Sequence, residues 1–269
     1  MPRSHPLYRQ LVRVWRLSGR WLPNGWLDAI RQLVLFAGAY YLYRLVRGFV
    51  DGQAGLAFEN ARTLVGFERS LGLFFEPGLQ AWAHGQEWLL TWANWMYVNS
   101  HFVVTTTFLI WLYIARNYAF YYVRNMFMVA MTLALAGYLA YPTAPPRFLP
   151  EWGFTDTVAA FVGDGASDSA SVLYNPFAAV PSMHVAFALM IGIPAFKIVR
   201  SRALKALWAI YPVIVTFVVL VTANHWWLDA ALGAAVAAVS ALAASAAFGR
   251  ARPEAWAWRT PALGAKAAA

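Results

Sequence analysis

Three short polar stretches interrupt long apolar runs in this chain: Pro142-Thr143-Ala144-Pro145-Pro146-Arg147, Pro181-Ser182-Met183-His184 and Asn224-His225-Trp226-Trp227-Leu228-Asp229. Together they hold an arginine, two histidines and an aspartate, groups that cost free energy in hydrocarbon and mark function when they persist there. That set suits displacement at phosphorus. His225 and Asp229 are four residues apart, which predicts one helix face and one turn between them. The carboxylate would accept a hydrogen bond from one ring nitrogen and leave the other as a lone-pair nucleophile.

His184 is expected in the first turn of a helix opened by Pro181, whose missing N–H costs nothing at that position. The positive end of such a helix attracts phosphate oxygens, and an imidazole there could protonate a departing alkoxide. Arg147 offers a planar fork for two phosphate oxygens, stiffened by the double proline before it, and Ser182 adds a hydroxyl beside His184. Taken singly, each has a structural reading: an intrahelical hydrogen bond, a helix cap, a headgroup anchor. Their joint placement favours chemistry.

The elements that must position these groups follow from composition. Of 269 residues, 61% are hydrophobic and 12% charged, about half the charge of a soluble domain, which predicts an all-α integral membrane protein. The absence of cysteine excludes disulfides and thiolate chemistry. The net charge of +9 is read as membrane orientation rather than nucleic-acid binding. Stretches long enough to cross roughly 30 Å of hydrocarbon run from Leu27 to Gly48, Trp88 to Tyr113, Tyr118 to Tyr141, Pro181 to Val199, Ala203 to Thr222 and Trp226 to Phe248. The expectation is six transmembrane helices in one catalytic domain, 27–248.

Residues 1–26, with Arg3, Arg9, Arg13, Arg16 and Arg20, read as a basic cytoplasmic leader before an uncleaved first span, and 249–269 as a cytoplasmic tail. Residues 54–75, where Glu59, Arg62, Glu68 and Arg69 break an apolar pattern, read as an amphipathic helix in the interface plane. Residues 142–180 read as an external loop or cap that could gate a site. Lys and Arg concentrate in the leader, at Arg116 and Arg124, between Lys197 and Lys205, and in the tail. This places both termini in the cytoplasm and all three polar stretches on the extracytoplasmic face.

Asn99 and His101 in the second span, with Tyr174 and Asn175 before the Pro-Ser-Met-His stretch, are candidates for a headgroup or acceptor pocket. Asn94, Asn99 and His101 also fit interhelical hydrogen bonds. His5 and His84 are expected to do nothing chemical.

These motifs resemble the type 2 phosphatidic acid phosphatase superfamily over about Trp88 to Ala238. Pro181-Ser-Met-His184 is similar to its Pro-Ser-Gly-His motif, and His225-x3-Asp229 to the end of its third. The Pro142 to Arg147 stretch, the Met variant and Asn224 to Asp229 are closer to the inositol phosphorylceramide synthase-like branch. The resemblance implies a six-helix fold without metal or cofactor, with His225 as nucleophile aided by Asp229 and His184 as acid and then base. It departs where no Lys precedes an Arg-Pro pair, and where Val218 and Val219 replace the Ser-Arg of the third motif.

The function expected is a lipid phosphotransferase or phosphatase working on an outer-leaflet phospholipid through phosphohistidine, with water or a polar alcohol as acceptor. A lipid transporter is the rival, but it predicts ionisable groups near the midplane in matched halves. No protein partner is legible.

Overall fold

The computed structural model describes residue 19 and residues 22–163 and 177–248. The leader arginines at 3, 9, 13, 16 and 20, the pair Tyr174 and Asn175, and the tail from 249 lie outside the described residues. Those described are all-helical: α1 Gly25–Asp51, α2 Ala54–Ser70, α3 Glu76–His84, α4 Glu87–Ala115, α5 Asn117–Ala140, α6 Thr157–Val162, α7 Met183–Ile198, α8 Arg202–Val221 and α9 Trp227–Ala243. Four of them, α4, α5, α8 and α9 with its extension to Ala246, are long and apolar enough to cross a membrane. Large apolar side chains such as Phe102, Val213 and Leu242 point outward from them, which is consistent with an integral membrane protein.

The expected spans shift in ways that local chemistry explains. Helix α7 starts only at Met183, because Ser182 is extended and serves as its N-cap; at 16 residues it reaches about 24 Å, short of the hydrocarbon thickness. Helix α1 is continuous but carries Asp28, Arg31 and Gln32 in its first two turns. Asp28 and Gln32 pair inward: Tyr113 and Tyr121 donate to Asp28 Oδ2 at 2.9 and 2.7 Å, and Arg124 Nη1 donates to Gln32 Oε1 at 2.9 Å. Arg124, expected in a loop, therefore lies buried inside α5, and Arg116 alone marks the α4–α5 joint.

Helix α4 is interrupted by a π-helical turn, Met96–Ser100. Asn99 Nδ2 and Ser100 Oγ turn back onto the Trp95 and Met96 carbonyls there. Such a turn inserts an extra residue and re-aims the side chains beyond it, in this case His101.

The amphipathic stretch ends at Ser70 rather than Phe75, where Gly72 (φ 69°) reverses the chain into α3. Ala57, Ala61, Leu64, Val65 and Glu68 line the buried face of α2, at helical spacing. That face packs on Ala144, Leu149, Phe154 and Trp226. Glu68, expected to be polar surface, is thus fully buried.

The start of the 142–180 connection is pinned. Asn60 Nδ2 donates to the Pro142 carbonyl (2.8 Å), Ala144 N to Ala57 O (3.0 Å) and Arg147 N to Ala223 O (2.9 Å). Thr143 bridges to the other end through Thr143 N to Phe177 O and Ala179 N to Thr143 O. Gln80 clasps Thr155 through two bonds, and Asn94 clasps Thr157 likewise.

Helices α7, α8 and α9 meet closely because small residues let backbones touch. A Cβ on Gly192 would lie 2.8 Å from Trp208 O, and one on Gly233 would overlap the Ser182 carbonyl oxygen outright. Gly233→Ala must push α9 off the start of α7, at a cost of about 2 kcal/mol or more. The expected outcome is a clear fall in melting temperature in detergent, whereas Gly66→Ala, where the new methyl meets nothing within 4 Å, lowers it not at all.

Candidate functional site

The corner between α8 and α9 presents His225. Ala223 takes φ 53°, a left-handed conformation that costs an alanine roughly 1 kcal/mol. Its neighbours hold it there: Asn224 N and His225 N both donate to Val219 O, and Ala223 O receives Arg147 N. Trp226 is the N-cap of α9, with no exposed surface; its Nε1 donates to Ala144 O at 3.1 Å, and Phe74, Trp152 and Phe154 surround its ring.

His225 therefore precedes the helix rather than opening it, which corrects the expectation of two side chains one turn apart on a helix face. The contact arises because Asp229, third residue of α9, reaches back across the cap. Asp229 Oδ2 accepts Trp226 N at 2.9 Å and His225 Nδ1 at 3.3 Å. Ala179 O also lies 3.0 Å from that nitrogen. Facing two acceptors, Nδ1 carries the proton and Nε2 keeps the lone pair.

His225 Nε2 meets His184 Nδ1 at 3.3 Å, so the His184 nitrogen is the donor. His184 stands in the first turn of α7, as expected, but Pro181 lies outside the helix and Ser182 caps it, accepting Val185 N at 3.5 Å. Ser182 is fully buried, and its own N–H donates to Asp229 O at 3.0 Å. Helix geometry leaves the Met183 and His184 N–H groups without intrahelical partners.

Behind His184 the π turn supplies a wall. Tyr97 stacks on His184 at 4.7 Å between ring centroids, and His101 lies 4.4 Å away on another side. His101 Nδ1 is buried without a hydrogen-bond partner among the described residues. Met96, Tyr97, Ser100, His101, His184 and the α8 valines enclose a small recess. Asn99 is not part of this lining; its amide returns to its own helix. Arg147, nearly buried, pairs through Nε with Asp156 Oδ2 at 3.3 Å and sits near enough to His184 and Tyr97 for their charges to interact.

Of the sequence-derived candidates, the fold thus gathers His225, Asp229, His184, Ser182, His101 and Arg147 into one neighbourhood. It adds Tyr97 and Asp156, and two carboxyls at the start of α9. Glu76 Oε1 accepts Trp227 N at 3.0 Å, Glu68 Oε1 accepts Leu228 N at 3.3 Å, and both side chains are fully buried. The available signal was Glu68 falling on the apolar face of α2, in register with Leu64 and Ala61.

In comparisons with known proteins, the profile described as the PAP2 superfamily matches residues 62–243, more than half of the chain. No curated protein and no solved structure matches significantly.

Burial, reinforced by the charges of Glu76 and Asp229, pushes the Glu68 carboxyl up to about 9, and burial raises Glu76 as well. A carboxyl raised on folding holds a proton that the unfolded chain releases at lower pH, so its stabilising contribution is complete below the unfolded value of 4.5. That contribution is lost as pH rises through about 9. The wild-type melting temperature minus that of Glu68→Gln should fall steadily across this window; a difference independent of pH would contradict the raised carboxyl.

Proposed function

This chain belongs to the PAP2 superfamily, and from that premise we propose that it is a metal-independent membrane lipid phosphotransferase or phosphatase acting at the extracytoplasmic face. The observation carrying this reading is the contact of His184 Nδ1 with the Nε2 of a His225 whose other nitrogen is bound by Asp229. The orienting carboxylate, the nucleophile and the proton donor then form one hydrogen-bonded chain through the two nitrogens of His225.

In the forward step His225 Nε2 attacks phosphorus, the bond from phosphorus to the lipid oxygen breaks, and that oxygen takes the Nδ1 proton of His184, which enters the step as the imidazolium and leaves it as neutral imidazole. Asp229 stabilises the positive charge on the phosphorylated ring. In the second step an acceptor hydroxyl gives its proton to His184 and its oxygen attacks phosphorus, releasing His225. Arg147 and the free N–H groups opening α7 hold the non-bridging oxygens. The two histidines touch each other, so entry of a phosphoryl group displaces His184 toward the recess formed by Tyr97, Ser100 and His101.

Six spans, with both termini cytoplasmic, complete the reading: α1 and α7 join the four long helices, and α2 lies along the outer interface. The Pro-Thr-Ala-Pro-Pro-Arg, Pro-Ser-Met-His and Asn-His-Trp-Trp-Leu-Asp stretches, similar to those of the inositol phosphorylceramide synthase-like branch, support transfer to a polar alcohol. The small size of the recess favours a second reading, a simple lipid phosphate phosphatase with water as acceptor.

His225→Ala in purified protein is expected to abolish turnover of phospholipids, and His184→Ala to reduce kcat by about a hundredfold or more. Reactions with ³²P-labelled lipid quenched in alkaline detergent, where an N-phosphoryl bond survives, should trap label on the wild type and none on His225→Ala, and the trapped label should be lost on acidification. Retained turnover in His225→Ala removes the nucleophile. Labelled phosphoalcohol among the products, as against free phosphate alone, separates transferase from hydrolase.

A further inference from the structure

The first turn of α9 is gripped from outside by side chains of two other helices. Helix starts leave N–H groups unpaired, and this one offers Trp226, Trp227 and Leu228. Asp229 takes the first from within, while Glu76 on α3 and Glu68 on α2 take the other two, at sequence separations of 151 and 160 residues. Both glutamates have no exposed surface, and the remaining oxygen of each, Oε2, has no donor among the described residues.

Two bare carboxylates buried side by side, with a third at Asp229, would repel strongly. Glu68 and Glu76 grip adjacent N–H groups of one turn, and the Oε2 of each is buried without a donor among the described residues, so a single proton held between the two carboxyls supplies the missing donor and removes the repulsion. The anion left on the pair is met by the positive end of α9.

This grip bears on the reacting atoms through one residue. Asp229 is third in α9, its Oδ2 faces His225 Nδ1, and its backbone carbonyl accepts Ser182 N from the start of α7, which carries His184. A displacement of this turn moves both histidines relative to each other. We propose that Glu68 and Glu76 are positioning residues for the reaction: a proton-sharing carboxyl pair that grips the Trp227 and Leu228 N–H groups and thereby sets Asp229 against His225. The inference rests on the phosphoryl-transfer reading above. The charged or titratable groups facing the pair are Asp229 and, beyond it, His225.

The test uses the full chain in detergent, with phosphatidic acid in mixed micelles for turnover and orthovanadate, a mimic of five-coordinate phosphorus, for binding without turnover. Glu68→Leu and Glu76→Leu are expected to lower kcat by about thirtyfold or more with KM unchanged, as misplacement of reacting groups does. The same variants should weaken vanadate binding by a comparable factor. Glu68→Gln keeps an acceptor for Leu228 N and a donor for Glu76, and should restore kcat to within about threefold of wild type. Glu68→Asp and Glu76→Asp, which retain a smaller acid where leucine prevents folding, should lose about tenfold in kcat because the shortened arm leaves the N–H group.

Leucine or aspartate variants that fold and keep wild-type kcat and vanadate affinity overturn the proposal, as does a loss confined to KM or a Glu68→Gln as impaired as Glu68→Leu. His225→Ala run in parallel separates the failures. Activity or vanadate binding surviving in His225→Ala sinks the reaction itself, whereas its loss there alongside intact glutamate variants sinks only the positioning role.

Discussion

One buried carboxylate oxygen organises the polar end of this molecule. Asp229 Oδ2 receives the Trp226 N–H and the His225 Nδ1–H together, in a position with no access to solvent. A buried anion is costly unless each of its bonds is made. Its backbone carbonyl also takes Ser182 N, so the start of α7 is registered against the start of α9 through one residue. Moving the aspartate disturbs the helix cap, the imidazole tautomer and the approach of His184 at once.

The walls around this oxygen are built to be stationary. Trp226 wedges its ring among Phe74, Trp152 and Phe154 and bonds the Ala144 carbonyl. Arg69 lies 4.7 and 5.5 Å over the rings of Phe74 and Trp152, tying the end of α2 to the same cluster. Gln80 and Asn94 clasp the backbone of the loop that carries Asp156, the partner of Arg147. A loop read from composition as a candidate gate is, over residues 142–163, a bonded cap that aims a guanidinium.

The remaining side of His184 is formed by the π turn of α4. It places Tyr97 against one side of His184 and delivers His101 to another, with a buried ring nitrogen that has no hydrogen-bond partner among the described residues. Val218 and Val219 occupy the places where the superfamily's third motif carries Ser-Arg. The side of the recess opposite His101 is accordingly apolar.

Composition and helical periodicity, both local properties, were enough to read the helical membrane class and the amphipathic face of α2, and residue types with their spacing pointed to His184, His225, Asp229 and Arg147. The end of α2 at Gly72, the separate helix α3 and the π turn were not legible, since each depends on how neighbours pack. Nor was the geometry of the His225–Asp229 contact, which the four-residue spacing assigned to a helix face and which a helix cap supplies instead. The glutamates show the boundary most clearly. In the letters Glu68 falls in register with the apolar face of α2, which points to burial but names no partner; only the docking of α2 and α3 onto α9 brings Glu68 and Glu76 to the N–H groups they bond, because those lie some 150 residues away and long-range pairing leaves no local pattern that identifies them.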